Sequence, residues 1–171
     1  MGTYYWNLDL WAAESGRKIL ERAELDQNRP EEENEVNKLQ NTLNKALGVL
    51  QESGVYAFFL YLLAKREKKR EEKKDEAKND PCRVVLEQVL EDFREKKDKF
   101  GFSNEAPDLK KVAKVESILK WVSEEIVSHL PRLLLCREFL LRALAYARYA
   151  AEAKEVELKQ QKTSQPGGSQ T

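Results

Sequence analysis

The apolar positions in the first third of the chain recur at helical spacing and predict two helices. The first follows Asn7, a good N-cap, and keeps its apolar residues on one face to about Leu25. The second starts at Pro30, which suits a first helical turn and precedes three glutamates that complement the helix dipole. Its apolar residues alternate three and four positions apart: Val36, Leu39, Leu43, Ala46 and Leu50.

Ser53 and Gly54 interrupt this pattern, and a run that is apolar on every face follows from Val55 to Leu63. A helix without a polar side must be surrounded by other elements. We therefore expect this run to form the central helix of the domain. It passes into a segment of mixed charge, 65–80, which we expect to extend the helix into solvent before a loop near Pro81.

Three further helices are predicted in the second half. The first carries Leu86, Val89, Leu90 and Phe93 on one face and stops at Gly101. The next has the most regular stripe of the chain: Val112, Val115, Leu119, Val122 and Ile126. After Pro131, a long final helix is predicted from about Arg132 through Ala153 and as far as Gln160.

Six helices without a predicted strand or a fixed-period repeat indicate an all-α fold, a compact bundle with a long C-terminal helix. The length of 171 residues and the 41% of hydrophobic residues suit one core without disulfide or metal staples. We expect one domain over 1–160. The last residues, 161–171, are rich in Ser, Gln and Gly, and we expect a disordered tail there.

Charge and cysteine content narrow the functional classes. Basic and acidic residues balance at 30 each, so a site for nucleic acid would have to be a local patch. Cys82 and Cys136 lie far apart and the chain has one histidine, which disfavours a disulfide framework or a zinc site.

The N-terminus has no secretory pattern, and the ten-residue apolar run 55–64 is shorter than a membrane span. We expect a soluble, cytoplasmic protein.

The motifs of several enzyme classes are missing. Glu124 stands where the RxxxxH pattern of all-helical ribonucleases would need arginine before His129. Ile126 stands where a di-iron ExxH motif would need glutamate. We expect His129 to be half-buried and structural. Phosphate-binding and calcium-binding loop motifs are also absent from the sequence, so we predict a protein that is not an enzyme and holds no metal or cofactor.

The final helix has two apolar faces when plotted at about 100° per residue. The first comprises Cys136, Phe139, Ala143, Ala147 and Ala150. The second, on nearly the opposite side, comprises Leu134, Leu141 and Ala145, flanked by Arg137 and Arg148. Such a helix either is sandwiched inside its own bundle or offers one side to a partner. Both alternatives stay open at this point.

Basic residues provide candidate nucleic-acid contacts. The final helix carries Arg132, Arg137, Arg142 and Arg148, whose guanidinium groups match phosphate oxygens. Other candidates are Lys65, Arg66 and Lys69 in the charged segment, and Lys110 and Lys114 before the fifth helix. For each segment alone, an ordinary solvated surface is the competing interpretation.

Two stretches together resemble the fifth Cmr subunit family, the small all-helical subunits of type III-B CRISPR RNA-guided effector complexes. The first, within 47–65, has the family's Gly-apolar step and Ala- and Phe-rich run: Gly54, Val55, Ala57, Phe58, Phe59 and Leu60. The second is near the C-terminus: Leu135, Cys136, Arg137, Glu138, Phe139 and Leu140, then Arg148, Tyr149, Ala150, Glu152 and Ala153. The chain departs from the family with Cys136 for threonine, Phe139 for alanine and a longer charged segment.

The resemblance implies a non-catalytic subunit that stacks along the filament of backbone subunits and helps line the channel where guide RNA pairs with target RNA. Its partners would be other Cmr subunits and the two RNAs, and cleavage would belong to a neighbour. A free-standing helical adaptor with protein partners only is the alternative hypothesis. An all-helical hydrolase with an unfamiliar site is a third.

Overall fold

A computed structural model describes residues 7–24, 32–72, 80–111 and 114–164. Its helices are α1 (Leu8–Glu24), α2 (Glu32–Glu72), α3 (Pro81–Glu95), α4 (Lys97–Phe100), α5 (Val115–Trp121) and α6 (Leu130–Thr163). A 3₁₀ turn spans Leu109–Lys111, and a π-helical turn, Val122–Val127, continues α5. No strand occurs within the described ranges, which confirms the all-α prediction with its long C-terminal helix.

The starts of α1 and α6 follow the predicted signals, whereas the helix predicted to stop at Gly101 is divided at Lys96 into α3 and α4. Asn7 Oδ1 accepts a 2.9 Å hydrogen bond from the Leu10 amide, which caps α1. Pro81 and Pro131 lie in the first turns of α3 and α6, where a missing N–H leaves no helical bond unmade. Gly101 ends α4 in the left-handed conformation, with φ of 76°.

Gly54 divides α2 into two helical halves that meet at a kink, so the predicted interruption at Ser53 and Gly54 is confirmed. Its φ of 87° and ψ of −173° are not helical, yet helical hydrogen bonding continues on both sides. Only glycine adopts this conformation without strain. The kink lets the first half of α2, with Leu43 and Leu50 buried, and the second half, with Phe58 and Leu62 buried, both reach the core.

Two neighbours flank α2. Lys69 pairs with Asp80 near one end of the α2–α3 contact, and the Phe59 and Phe93 rings lie 6.4 Å apart further along, so α3 runs antiparallel to α2. The early part of α2 contacts the late part of α6, since Gln40 Nε2 donates to Glu155 Oε2 at 2.9 Å. Helix α2 also contacts the π-helical turn that precedes α6. Because that turn lies a full helix length from Glu155, it is the later part of α2 that reaches it, and α6 runs antiparallel to α2.

An aromatic cluster centred on Phe93 forms the middle of the core. Its ring contacts five others at centroid distances of 5.0–6.4 Å: Phe59, Phe100, Phe102, Trp121 and Phe139. Phe100 and Phe102 are both buried and pack the turn after α4 against the core. The cluster joins α2, α3, α4, α5 and α6 in one interior.

Several sequence expectations differ from the structure. Tyr56 and Leu60 are 40% and 45% exposed, so the run from Val55 to Leu63 is not surrounded on all sides by the described residues. His129 is exposed at the start of α6 rather than half-buried. Helix α6 reaches Thr163, beyond Gln160, while 165–171 lie outside the described residues.

The predicted stripe of the fifth helix is correct only in its second half. Val122 and Ile126 are buried, but Val115 and Leu119 are half-buried and Val112 lies outside the described residues. Ile118 and Trp121 instead complete the buried face. A π-helical turn contains one more residue than an α-helical turn, and here Glu125 is buried together with Val122 and Ile126.

Candidate docking and nucleic-acid interface

One side of α6 builds the core. Cys136, Phe139, Ala143 and Ala147 are fully buried and Ala150 is half-buried, as the first of the two predicted faces requires. Small residues on this side permit close approach of α1. A Cβ atom built on Gly16 would lie 2.8 Å from the backbone nitrogen of Ala147, so α1 and α6 touch through their backbones.

The opposite side of α6 carries an exposed apolar stripe. Leu134 is 58% exposed, and three residues outside the predicted second face extend the stripe: Leu130 (65%), Tyr149 (56%) and Val156 (51%). Leu141 and Ala145 are half-buried between them, and Leu141 also packs against the core. We call this set, Leu130, Leu134, Leu141, Ala145, Tyr149 and Val156, the α6 stripe.

Arg137 and Arg148 are the arginines that border the α6 stripe. Both are half-buried, and neither forms an ion pair within the part of the chain that the structure describes. The Arg148 guanidinium carbon lies 4.8 Å from the centre of the Tyr149 ring, which is a cation–π arrangement. Among the described residues, no carboxylate pairs with either guanidinium group.

Arg132 and Arg142 are engaged within the chain. Arg132 donates to the Glu125 side chain at 3.0 Å and to its carbonyl at 3.2 Å. Arg142 donates to Glu138 at 2.7 Å and to Asp9 of α1 at 3.3 Å. Two of the four arginines of α6 are thus hydrogen-bonded to carboxylates of this chain, and the other two border the α6 stripe.

The Arg132 partner, Glu125, is a buried carboxylate that holds the loop after α4. It accepts hydrogen bonds from the Ser103 and Asn104 amides at 2.8 and 3.1 Å, besides the contact with Arg132. Burial by itself would raise the pKa of Glu125, but these donors outweigh it and hold the pKa below its ordinary value. This role could not be predicted from the sequence, because Glu125 resembles any other glutamate of a charged helix.

The lysine-rich candidates lie elsewhere. Lys69 pairs with the buried Asp80, and Lys65 lies 6.0 Å from the centre of the Tyr61 ring. Arg66 is mostly buried, and burial lowers its pKa. Its Nη1 atom lies 3.6 Å from Glu67 Oε1 but has no hydrogen-bond partner among the described residues. These residues belong to the end of α2, and the structure does not bring them together with the α6 stripe into one described cluster.

Lys110 and Lys114 are exposed on the segment between α4 and α5. Lys110 borders a shallow cavity of about 140 Å³ together with Arg22, Glu87, Glu91, Arg94 and Asp108. Acidic and basic side chains both line this cavity, so its electrostatic potential favours neither a phosphate nor a cation.

The buried polar groups offer no assembled catalytic centre among the described residues. Ser15 Oγ donates to Asp92 at 2.5 Å, but both are fully enclosed between α1 and α3, and His129 is not among their hydrogen-bond partners. Burial raises the pKa of Cys82 to about 11 and raises that of Cys136 as well, so neither thiol is activated. No group of three potential metal ligands occurs in the described ranges.

By length and composition, α2 includes a window within Asn34–Glu71 that is apolar enough to cross a membrane. The helix supplies Leu43, Phe58, Phe59 and Leu62 to the core described above. A core helix satisfies the same composition criteria.

Comparison of the chain with protein-family models, curated proteins and solved structures gave no match. The resemblance to the Cmr family therefore rests on the two sequence stretches that carry it.

Proposed function

We propose that this chain is a non-catalytic structural subunit of a type III-B CRISPR ribonucleoprotein complex in the cytoplasm. In this proposal it packs along the backbone filament and helps hold guide RNA and target RNA for antiviral defence. The observation that carries the proposal is the α6 stripe bordered by Arg137 and Arg148, two arginines without an acidic partner among the described residues.

The apolar part of this surface suits a protein partner. Leucine and tyrosine side chains at helical spacing along about seven turns can fill a groove on a neighbouring subunit. Fully covering a leucine side chain contributes roughly 1.5–3 kcal/mol. Leu130 and Leu134 would therefore supply much of the docking free energy, and Tyr149 would add an aromatic anchor.

The arginines suit a polyanion beside that partner. A guanidinium group can donate two parallel hydrogen bonds to a phosphate and stack on a base. Because the total charge of the chain is balanced, such contacts would act locally and only where docking brings RNA to the rim of the α6 stripe. The isolated chain would bind RNA weakly.

A pull-down from the native cell tests the proposal. We expect the tagged protein to recover a short guide RNA and several protein subunits. The double variant R137E/R148E should lose most of the RNA, while K45E/K120E, which makes the same charge change at two exposed lysines outside α6, should retain it. Recovery of the protein alone, without RNA or other subunits, would overturn the proposal.

The α6 stripe also supports a second candidate, a free-standing helical adaptor with protein partners only. The two proposals differ in the arginines. If R137E/R148E recovers the same proteins as the unchanged chain and no RNA is found with either, the adaptor is favoured. The variant L130S/L134S should lose protein partners under both proposals, since it removes the most exposed apolar side chains.

A further inference from the structure

Arg148 and Tyr149 form an exposed stacked pair on α6. The tyrosine is 56% exposed, and the guanidinium carbon lies 4.8 Å from the centre of its ring. Tyr146, one turn earlier, donates a hydrogen bond to Asp9 at 2.7 Å, whereas the Tyr149 hydroxyl has no hydrogen-bond partner among the described residues. The fold therefore anchors one tyrosine of this part of α6 and leaves the other to solvent.

The neighbours of Tyr149 along the helix leave room beside its ring. Residues four positions apart share a helix face, and here both are alanines, the half-buried Ala145 and the exposed Ala153. Methyl groups are too small to shield an aromatic ring. A planar ligand can therefore stack on Tyr149 next to the guanidinium group of Arg148, which also stacks on flat π-systems.

The charges around the ring favour a ligand that is anionic on one side. Arg137 and Arg148 border the same flank of α6, about 16 Å apart along the helix axis, and no described carboxylate pairs with either. Glu152 lies one turn after Arg148 and is exposed, so it repels an anion placed beyond the ring. An anionic chain therefore runs from Arg148 toward Arg137 rather than toward the end of the helix.

Single-stranded RNA has both features that this surface recognises. Its phosphates can bind the arginines, and an unpaired base presents a flat face that stacks on tyrosine and arginine side chains. The bases of a duplex are stacked on one another and present no free face to Tyr149. The surface thus fits an unpaired nucleotide better than a base-paired one.

We propose that Arg148 and Tyr149 form a stacking site for an unpaired base of RNA, with Arg137 binding a phosphate of the same strand. This inference rests on the proposed function, because it specifies how the α6 stripe holds RNA. It assigns Tyr149 to the RNA instead of the protein partner, and it leaves docking of that partner to Leu130 and Leu134.

Binding of a labelled RNA oligonucleotide to the purified full chain tests the stacking. Measured by fluorescence anisotropy at low salt, the single strand should bind more tightly than the same strand in a duplex. Y149A should weaken binding of the single strand at least about fivefold, whereas Y149F keeps the ring and should bind normally. Y56A removes an exposed tyrosine of α2 and is the matched control. Normal binding by Y149A, tighter binding of the duplex, or no binding by the unchanged chain overturns the proposal.

The salt dependence separates the base contact from the phosphate contact. R137Q should reduce the slope of the logarithm of affinity against the logarithm of salt concentration by about 0.7. Y149A should lower the affinity at every salt concentration and keep the slope. K45Q, at an exposed lysine of α2, should change neither. A slope that R137Q leaves unchanged, or that Y149A reduces as much as R137Q does, contradicts the assigned contacts.

The same variants in the native cell distinguish this inference from the proposed function. If the pull-down recovers guide RNA and several subunits but Y149A recovers as much RNA as the unchanged chain, the stacking site is wrong and the proposed function stands. If no RNA is recovered but the purified chain binds single strands through Tyr149, the stacking site is supported and the ribonucleoprotein is contradicted.

Discussion

Ser15 Oγ donates a 2.5 Å hydrogen bond to Asp92 Oδ2 across the interface of α1 and α3. Gln88 Nε2 donates to the other oxygen at 3.1 Å, and Arg22 donates to Gln88 at 2.6 Å. Ser15, Gln88 and Asp92 are fully buried. This chain of hydrogen bonds fixes how α1 lies on α3, because any rotation of α1 would leave a buried polar group without a partner.

Replacing Ser15 should therefore destabilise the fold. S15A removes one of the two side-chain donors to Asp92 and should lower the free energy of unfolding by about 1–3 kcal/mol. Urea denaturation measures the loss, and S117A, at an exposed serine of α5, is the matched control with little expected effect. An unchanged midpoint for S15A would contradict a structural role for the bond.

Asp92 should also make stability depend on pH. Burial raises the pKa of Asp92, and the hydrogen bonds from Ser15 and Gln88 and the charge of Lys96 only partly offset it. The folded state therefore holds the proton more tightly than the unfolded chain, whose aspartate has a pKa of about 3.9. As pH rises from that value through the raised one, the contribution of Asp92 to stability falls.

The variant D92N should remove this decline. The free energy of unfolding, measured across the acidic range, should fall less steeply with rising pH in D92N than in the unchanged protein. D98N gives the control for the substitution itself, since Asp98 is exposed and lies outside the core. Equal pH dependence in D92N and the unchanged protein would show that Asp92 does not titrate in this window.

Glu125 should behave in the opposite sense. Its pKa is lowered in the folded state, so its contribution to stability is present above the ordinary glutamate pKa of about 4.3 and is lost as pH falls through the lowered value. At neutral pH, E125A should cost about 3 kcal/mol, because it leaves Arg132 and the two loop amides without their acceptor.

The neighbouring Glu124 provides the matched control for Glu125. It is exposed and lies 3.8 Å from Lys120 in an ordinary surface ion pair. E124A should change the free energy of unfolding by less than about 1 kcal/mol. Thermal denaturation at neutral and acidic pH separates the two variants, and equal losses would refute the assigned role of Glu125.

The close approach of α1 to α6 predicts opposite effects at two helical glycines. G16A should destabilise the protein by about 1–3 kcal/mol, because the new Cβ would lie 2.8 Å from Ala147 N and Tyr146 Cβ. G48A should stabilise it by about 0.5–1 kcal/mol, since the new Cβ would meet no described atom within 4 Å beyond its chain neighbours and the nearby backbone of its own helix, and alanine favours the helix. Equal effects, measured by melting temperature, would disprove this contact.

Much of the helical architecture follows from local patterns. Val36, Leu39, Leu43, Ala46 and Leu50 are all buried, as their spacing predicts. The Asn7 cap, the turn at Gly101 and the start of α6 near Pro131 are also as predicted. These features depend on residues within a turn or two of one another, and the backbone geometry of a helix relates them directly.

The sequence by itself also determined that α6 has two apolar faces, but only the tertiary structure decided what each face does. The same holds for its arginines, since Arg132 meets Glu125 and Arg142 meets Asp9, while Arg137 and Arg148 meet no described carboxylate. Spacing along one helix gives the direction of each side chain relative to its neighbours. What lies in that direction depends on segments far away in sequence, here α1 and the π-helical turn, whose placement follows from packing the whole core.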